Sequence, residues 1–279
     1  MEAAPMSDIA LVQMVSSFDV DRSLMRCEAL LAEAARSDPR VVFLPENFAS
    51  LGHPSPSAVG AGEVTADGLI RSFLREMALR HRFWLVAGTL PCAVRGDGTH
   101  TGERVRAACF VLDEDGREVG RYDKIHMFDA DVDDVQQVYR ESATFEPGDQ
   151  IVDIESPVGR IGLSVCYDLR FPEIYLRLAA AGAELLSVPS AFTRGTGAAH
   201  FEPLLRARAI EHLAFVVAAC QGGSHDSGRE TWGESAVIGP WGEVIARCGT
   251  GEDVVHADID LDHQRALRKQ IPVHAQRRL

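Results

Sequence analysis

Three strand-like runs in this chain end on a residue able to do chemistry. The run IGLSV stops at Cys166 and gives way to Tyr-Asp-Arg, VVFLP stops at Glu46, and VGRYD stops at Lys124. In open α/β sheets ligands collect beyond the carboxyl ends of strands, and a thiol beside a helix N-terminus has its thiolate stabilised by the unpaired amides there. A carboxylate, a cation and a thiol are the parts that acyl transfer from an amide requires: a proton carrier, a stabiliser of the tetrahedral oxyanion and an attacker. Each residue also has a plainer role open to it. Cys166 could close a strand as a core cysteine, Glu46 after Pro45 could cap a helix, and Lys124 could be solvated.

The elements that must position these residues are legible in the periodicity. Strand-like IALVQMV, VVFLPE and FWLVAGTL alternate with helices expected near Asp21 to Ala35 and Gly68 to Arg82. Leu24, Cys27, Leu31 and Ala34 form one apolar stripe on the first of these, and Leu69, Ile70, Phe73, Leu74 and Met77 on the second. RAACFVLD and EVGRYDKIH flank the turn EDG, which predicts a hairpin. AVIGPWGEVIAR can be laid over FVLDEDGREVGR with Gly242 on Gly116 and Arg247 on Arg121, a weak internal repeat that suggests two halves of similar build. The strands IVDIES and IGLSVC, a helix from Pro172 to Ala181, ELLSVPSAF, a helix near Ala198 to His212 and AFVVAAC complete an α/β chain, read as a single domain over 1–279. The stretches 52–62, 95–104 and 129–139 are expected as surface loops able to rim a site.

Composition narrows the function. With 28 Lys plus Arg against 41 Asp plus Glu, the net charge of −13 disfavours nucleic acid and anionic lipid. The basic RALRKQIPVHAQRR reads as a solvated helix and tail. No apolar run reaches the roughly 18 residues of a membrane span, and no basic segment precedes the N-terminal apolar stretch, so a cytoplasmic protein is expected. The six cysteines contain no C-x-x-C pair, which argues against a zinc ribbon and points to reduced, buried thiols.

The segments FLPENF, YDKIHMFD and SVCYDLRFPE, in this order, resemble the Glu, Lys and Cys motifs of the nitrilase superfamily, the carbon–nitrogen hydrolases, and the resemblance runs from about Asp8 to Arg278. PSAF, AHFEPLLRARAIE, GPWGEVIARCGTGE and LRKQIPVHAQRR resemble its Nit branch. The resemblance implies a four-layer α-β-β-α sandwich and a cysteine-dependent amidase needing no metal or cofactor. Its catalytic residues would be Glu46, Lys124 and Cys166, joined by Glu141 of YRESATFEPGD as a second carboxylate. The implied mechanism is attack by the Cys166 thiolate, with Lys124 and the Tyr167 amide on the oxyanion and Glu46 alternating between acid and base through a thioester. Deaminated glutathione is the favoured small-molecule amide. 2-Oxoglutaramate, N-carbamoyl amines and a catalytically silent scaffold are the competing readings.

An acidic amide needs a cationic clamp, for which Arg170 and Arg194 are candidates, with Tyr167, Phe192 and Thr193 beside them. Arg106-Ala107 and Phe201 stand where relatives commonly carry Tyr-Asn and Trp, which puts nearby hydrogen bonding in question. His126 and His200 are expected to make structural bonds to backbone rather than act as bases. The resemblance also implies a homodimer through PEIYLRLAAAG and HFEPLLRARAIEHL.

Overall fold

The computed structural model describes residues 8–278. In chain order it runs through β1 (Ile9–Gln13), α1 (Val20–Ala34), β2 (Val41–Phe43), α2 (Pro56–Ala61), α3 (Leu69–His81), β3 (Trp84–Val86), β4 (Leu90–Cys92), β5 (Arg106–Leu112), β6 (Glu118–Asp123) and a ribbon of β7 (Asp129–Asp131) and β8 (Val138–Arg140). It continues with β9 (Asp153–Ser156), β10 (Gly159–Leu163), α4 (Pro172–Ala180), β11 (Leu185–Ser187), α5 (Arg194–His212), β12 (Phe215–Ala218), a ribbon of β13 (Gly222–Ser224) and β14 (Glu230–Trp232), β15 (Ala236–Ile238), β16 (Val244–Arg247), β17 (Asp253–Ala257) and α6 (Leu261–Gln270).

Alternation along the strands decides the layering. Ile9 and Leu11 of β1 share a core with Leu163 of β10 and Val216 of β12, while Ala10 and Val12 pack with Leu31 of α1 and Leu74 of α3. One sheet has the order β17-β1-β2-β3-β5-β4 with β6 on β5, and the other has the order β16-β15-β12-β11-β10-β9. The first core lies between these sheets and extends to Leu178 of α4 and Leu205 of α5. The architecture is a helix-sheet-sheet-helix sandwich, as the resemblance implies. Each sheet is built on three parallel strands, β1-β2-β3 and β10-β11-β12, which need helical crossovers to return the chain.

The hairpin repeat extends to bond-level detail. β5-β6 slips register between Val111 and Leu112, and β15-β16 slips between Val237 and Ile238, the positions that the overlay superposes. In both turns a glycine at positive φ (Gly116, 72°; Gly242, 88°) donates its amide to the carbonyl three residues earlier.

Four local expectations are corrected. The stretch 52–62 contains α2, and 129–139 contains most of the β7-β8 ribbon. Helix α5 begins at Arg194, where the Thr193 hydroxyl accepts from the Thr196 amide; Gly195 and Gly197, poor helix formers, conceal that first turn in the sequence. Helix α6 is docked rather than solvated: Gln264 is buried, and Arg268 donates to the carbonyls of Leu213 and Ala183.

Candidate active site

Glu46, Lys124 and Cys166 each follow a strand by one to three residues, after β2, β6 and β10 respectively. The sandwich brings them to one cavity of about 410 Å³. Lys124 Nζ lies 2.7 Å from Glu46 Oε1 and 2.9 and 2.8 Å from the two oxygens of Glu141. Glu46 and Lys124 are almost wholly buried, at 4% and 2% exposure. The helix-cap reading of Glu46 and the solvated reading of Lys124 therefore do not hold.

Close backbone packing sets each side chain. Behind Glu46, Gly88 has φ 55°, and a Cβ there would fall 1.9 Å from the Pro45 carbonyl oxygen, so only glycine lets the two loops approach this closely. The Asn47 amide donates to Thr89 Oγ1 at 2.8 Å, and Gln221 Nε2 donates to the Glu46 carbonyl at 3.0 Å. Glu141 opens a single 3₁₀ turn after β8, and its Oε2 accepts from the Phe128 amide at 2.6 Å. Cys166 itself has φ 47°, the left-handed region that non-glycine residues rarely occupy, and its amide donates to the Pro189 carbonyl at 2.9 Å. Such a conformation costs about 1 kcal/mol or more and persists only where the surroundings hold it.

One holding group is a residue to which the sequence alone assigns no role. The Asp168 carboxylate is fully buried and accepts from the Val165 amide (2.8 Å), the Tyr122 hydroxyl (2.7 Å) and the His126 amide (3.0 Å), with His126 Nδ1 at 2.7 Å. It thus bolts the residue before Cys166 to residues on either side of Lys124. His126, expected to bond backbone, has this carboxylate as its partner and stacks on Phe171 with centroids 3.6 Å apart. His200 Nδ1 instead lies 3.3 Å from an Arg170 nitrogen.

The electrostatics correct the expectation of a stabilised thiolate. Burial pushes the Cys166 thiol well above its ordinary value and the Glu46 charge adds to the rise, outweighing the pull of Lys124. Lys124 offsets the burial only in part because its ammonium is already shared by two carboxylates. Burial opposes the charge on Lys124 as well, but Glu141, Glu46 and Cys166 together raise its pKa. Burial also raises Glu141, against the pull of Lys124. The resting arrangement is a neutral thiol beside an ion-paired carboxylate placed to take its proton.

Tyr167, Arg170, Phe192 and Thr193 line the cavity. Arg194 does not: it opens α5 on the outer side, exposed and 3.3 Å from Glu230. Phe201 is buried against Phe192, with centroids 4.9 Å apart, and Ala107 contributes its carbonyl to the Lys124 amide at 3.0 Å. Arg106 pairs with Glu146 at 2.8 Å. Arg229, unremarked in the sequence, also lines the cavity. Among the described residues no helix is long and apolar enough to cross a membrane.

The sandwich and its match to known families define an enzyme that hydrolyses amide carbon–nitrogen bonds. The carbon-nitrogen hydrolase family model matches residues 8–269, and the chain belongs to that family. It is 38% identical over 267 residues to the deaminated glutathione amidase of Yersinia enterocolitica, covering 96% of this chain and 91% of that one. Its structure matches the C. elegans NitFhit protein with a TM-score of 0.86 at 36% identity, covering 99% of this chain and 66% of that one, so the chain spans about two thirds of that protein. It also matches Saccharomyces cerevisiae Nit3, a member of branch 10 of the nitrilase superfamily, with a TM-score of 0.84 at 28% identity over 97% of this chain and 96% of that one.

Proposed function

We propose that the chain cleaves the amide of deaminated glutathione, releasing cysteinylglycine and 2-oxoglutarate, through a thioester on Cys166. The observation that carries this reading is the contact of Lys124 with Glu46 and Glu141 at 2.7 to 2.9 Å in the cavity that Cys166 enters. Because the resting thiol is neutral, Glu46 takes its proton as sulfur attacks the carbonyl carbon. Lys124 and the Tyr167 amide receive the developing oxyanion. Glu46 then delivers the proton to the departing amine, and later draws one from the water that opens the thioester. Glu141 keeps Lys124 charged and aimed. The substrate is supported by the long match to the Yersinia enterocolitica enzyme.

The test compares deaminated glutathione, 2-oxoglutaramate and an N-carbamoyl amine with wild type and Cys166→Ala. Release of cysteinylglycine by wild type alone, with the highest kcat/KM of the three, is expected; a higher kcat/KM for 2-oxoglutaramate moves the assignment to an ω-amidase.

We also infer a cytoplasmic enzyme of one hydrolase domain, a reading supported by a core shared between the two sheets and by six unpaired cysteines. A homodimer through α4 and α5 is supported by Ile210 on α5, which is 51% exposed beside the turn at Gly242 and near the exposed Trp241. Elution at the monomer mass at micromolar concentration argues against it.

A further inference from the structure

Four Lys or Arg side chains line the cavity, and two of them are committed. Lys124 is held by Glu46 and Glu141, and Arg140 lies 2.8 Å from Asp131. Arg170 lies beside His200 and over the Phe192 ring, and neither it nor Arg229 has a carboxylate partner among the described residues. In a chain with 41 acidic residues, an arginine left without one inside a cavity calls for a physical reason.

Arg229 sits just before β14, half-buried. Its Nη2 donates to the Ala191 carbonyl at 2.6 Å, and its guanidinium carbon lies 5.3 Å from the centroid of the Tyr139 ring. These contacts fix the plane of the fork from two sides. Its Nε is buried and has no hydrogen-bond partner. That donor is closed off from the cavity, so it is the rest of the guanidinium, which lines the cavity without a carboxylate partner among the described residues, that a substrate carboxylate would meet in a charge-assisted, planar match. Ala191 is next to Phe192 and Thr193, so the same side chain braces the wall that faces the substrate.

We propose that Arg229 is a specificity residue that binds a carboxylate of the substrate. The inference rests on the reading above: deaminated glutathione carries two carboxylates, one on the 2-oxo acid and one on the glycine, with the scissile amide between them. Arg170 alone could hold only one end; Arg229 provides for the other.

The test uses three amides: deaminated glutathione, its C-terminal glycinamide, and 4-oxopentanoyl-cysteinylglycine, which lacks the 2-oxo acid carboxylate. Arg229→Gln is expected to lower kcat/KM for the full substrate by about 10- to 100-fold, mainly through KM, and to have far less effect on one of the two truncated amides. That selective pattern is one a purely structural role does not produce. An equal loss on all three amides, or no loss on any, overturns the proposal, the first outcome leaving Arg229 only a brace for the Ala191 segment. If wild type turns over none of the three, the substrate assignment itself fails and the carboxylate role falls with it.

Discussion

Cys166 shares its cavity with Glu46, Lys124 and Glu141, and burial together with the first two of these governs its behaviour. Burial and Glu46 hold its proton on, while Lys124 pulls the other way. Glu46→Gln removes one cause of the raised thiol pKa and also removes the proposed proton carrier. Alkylation of Cys166 by iodoacetamide should therefore extend to lower pH in this variant, while amide turnover falls by about 100-fold or more. A thiol titration that stays in place or moves upward would contradict a raising effect of Glu46 on the thiol. Cys166→Ala, which leaves the cavity but removes the proposed nucleophile, is expected to reduce turnover by at least about a thousandfold, measured as cysteinylglycine release.

At the scale of elements, the site depends on loops that touch where side chains would not fit. Gly88→Ala places a methyl against the Pro45 carbonyl and strains a backbone at positive φ, so it should displace Glu46 and cost about 1 to 3 kcal/mol of stability together with activity. Asp168→Asn removes the charge shared by the Val165 amide, the Tyr122 hydroxyl and His126. We expect kcat to fall while KM for deaminated glutathione changes little, because Asp168 positions the attacking and oxyanion-binding motifs without lining the cavity. A KM effect without a kcat effect would mean that it acts on substrate binding instead.

For the whole molecule, buried thiols couple the fold to alkaline pH. Burial pushes Cys109 and Cys248 from an ordinary value of 9.0 up to about 12, and it also raises Cys27, Cys92, Cys166 and Cys220. The unfolded chain releases these protons first. Their contribution is complete below pH 9 and is lost as pH rises from there, at about 1.4 kcal/mol per pH unit for Cys109 or Cys248 until its folded value is reached. Urea unfolding between pH 8.5 and 10.5 should show this decline, and Cys248→Ala should make it shallower. On the acid side, burial and then His274 and neighbouring arginines lower His212 from 6.5 to about 4. The unfolded chain binds that proton more readily, so stability present above pH 6.5 is lost as pH falls towards 4, and His212→Gln should flatten that limb.

Amino-acid order alone determined the alternation of strand-like and helical runs, the two matched hairpins with glycine at their turns, and the three strand ends that carry Glu46, Lys124 and Cys166. These are local properties, set by periods of two and 3.6 residues and by backbone freedom at single positions. Only the tertiary structure decided that Lys124 meets a carboxylate 78 residues away, that Asp168 joins the two motifs, that Arg229 enters the cavity while Arg194 stays outside, and that the thiol rests neutral. The physical reason is that desolvation and the summed field of neighbouring charges depend on distances through space, which spacing along the chain does not encode.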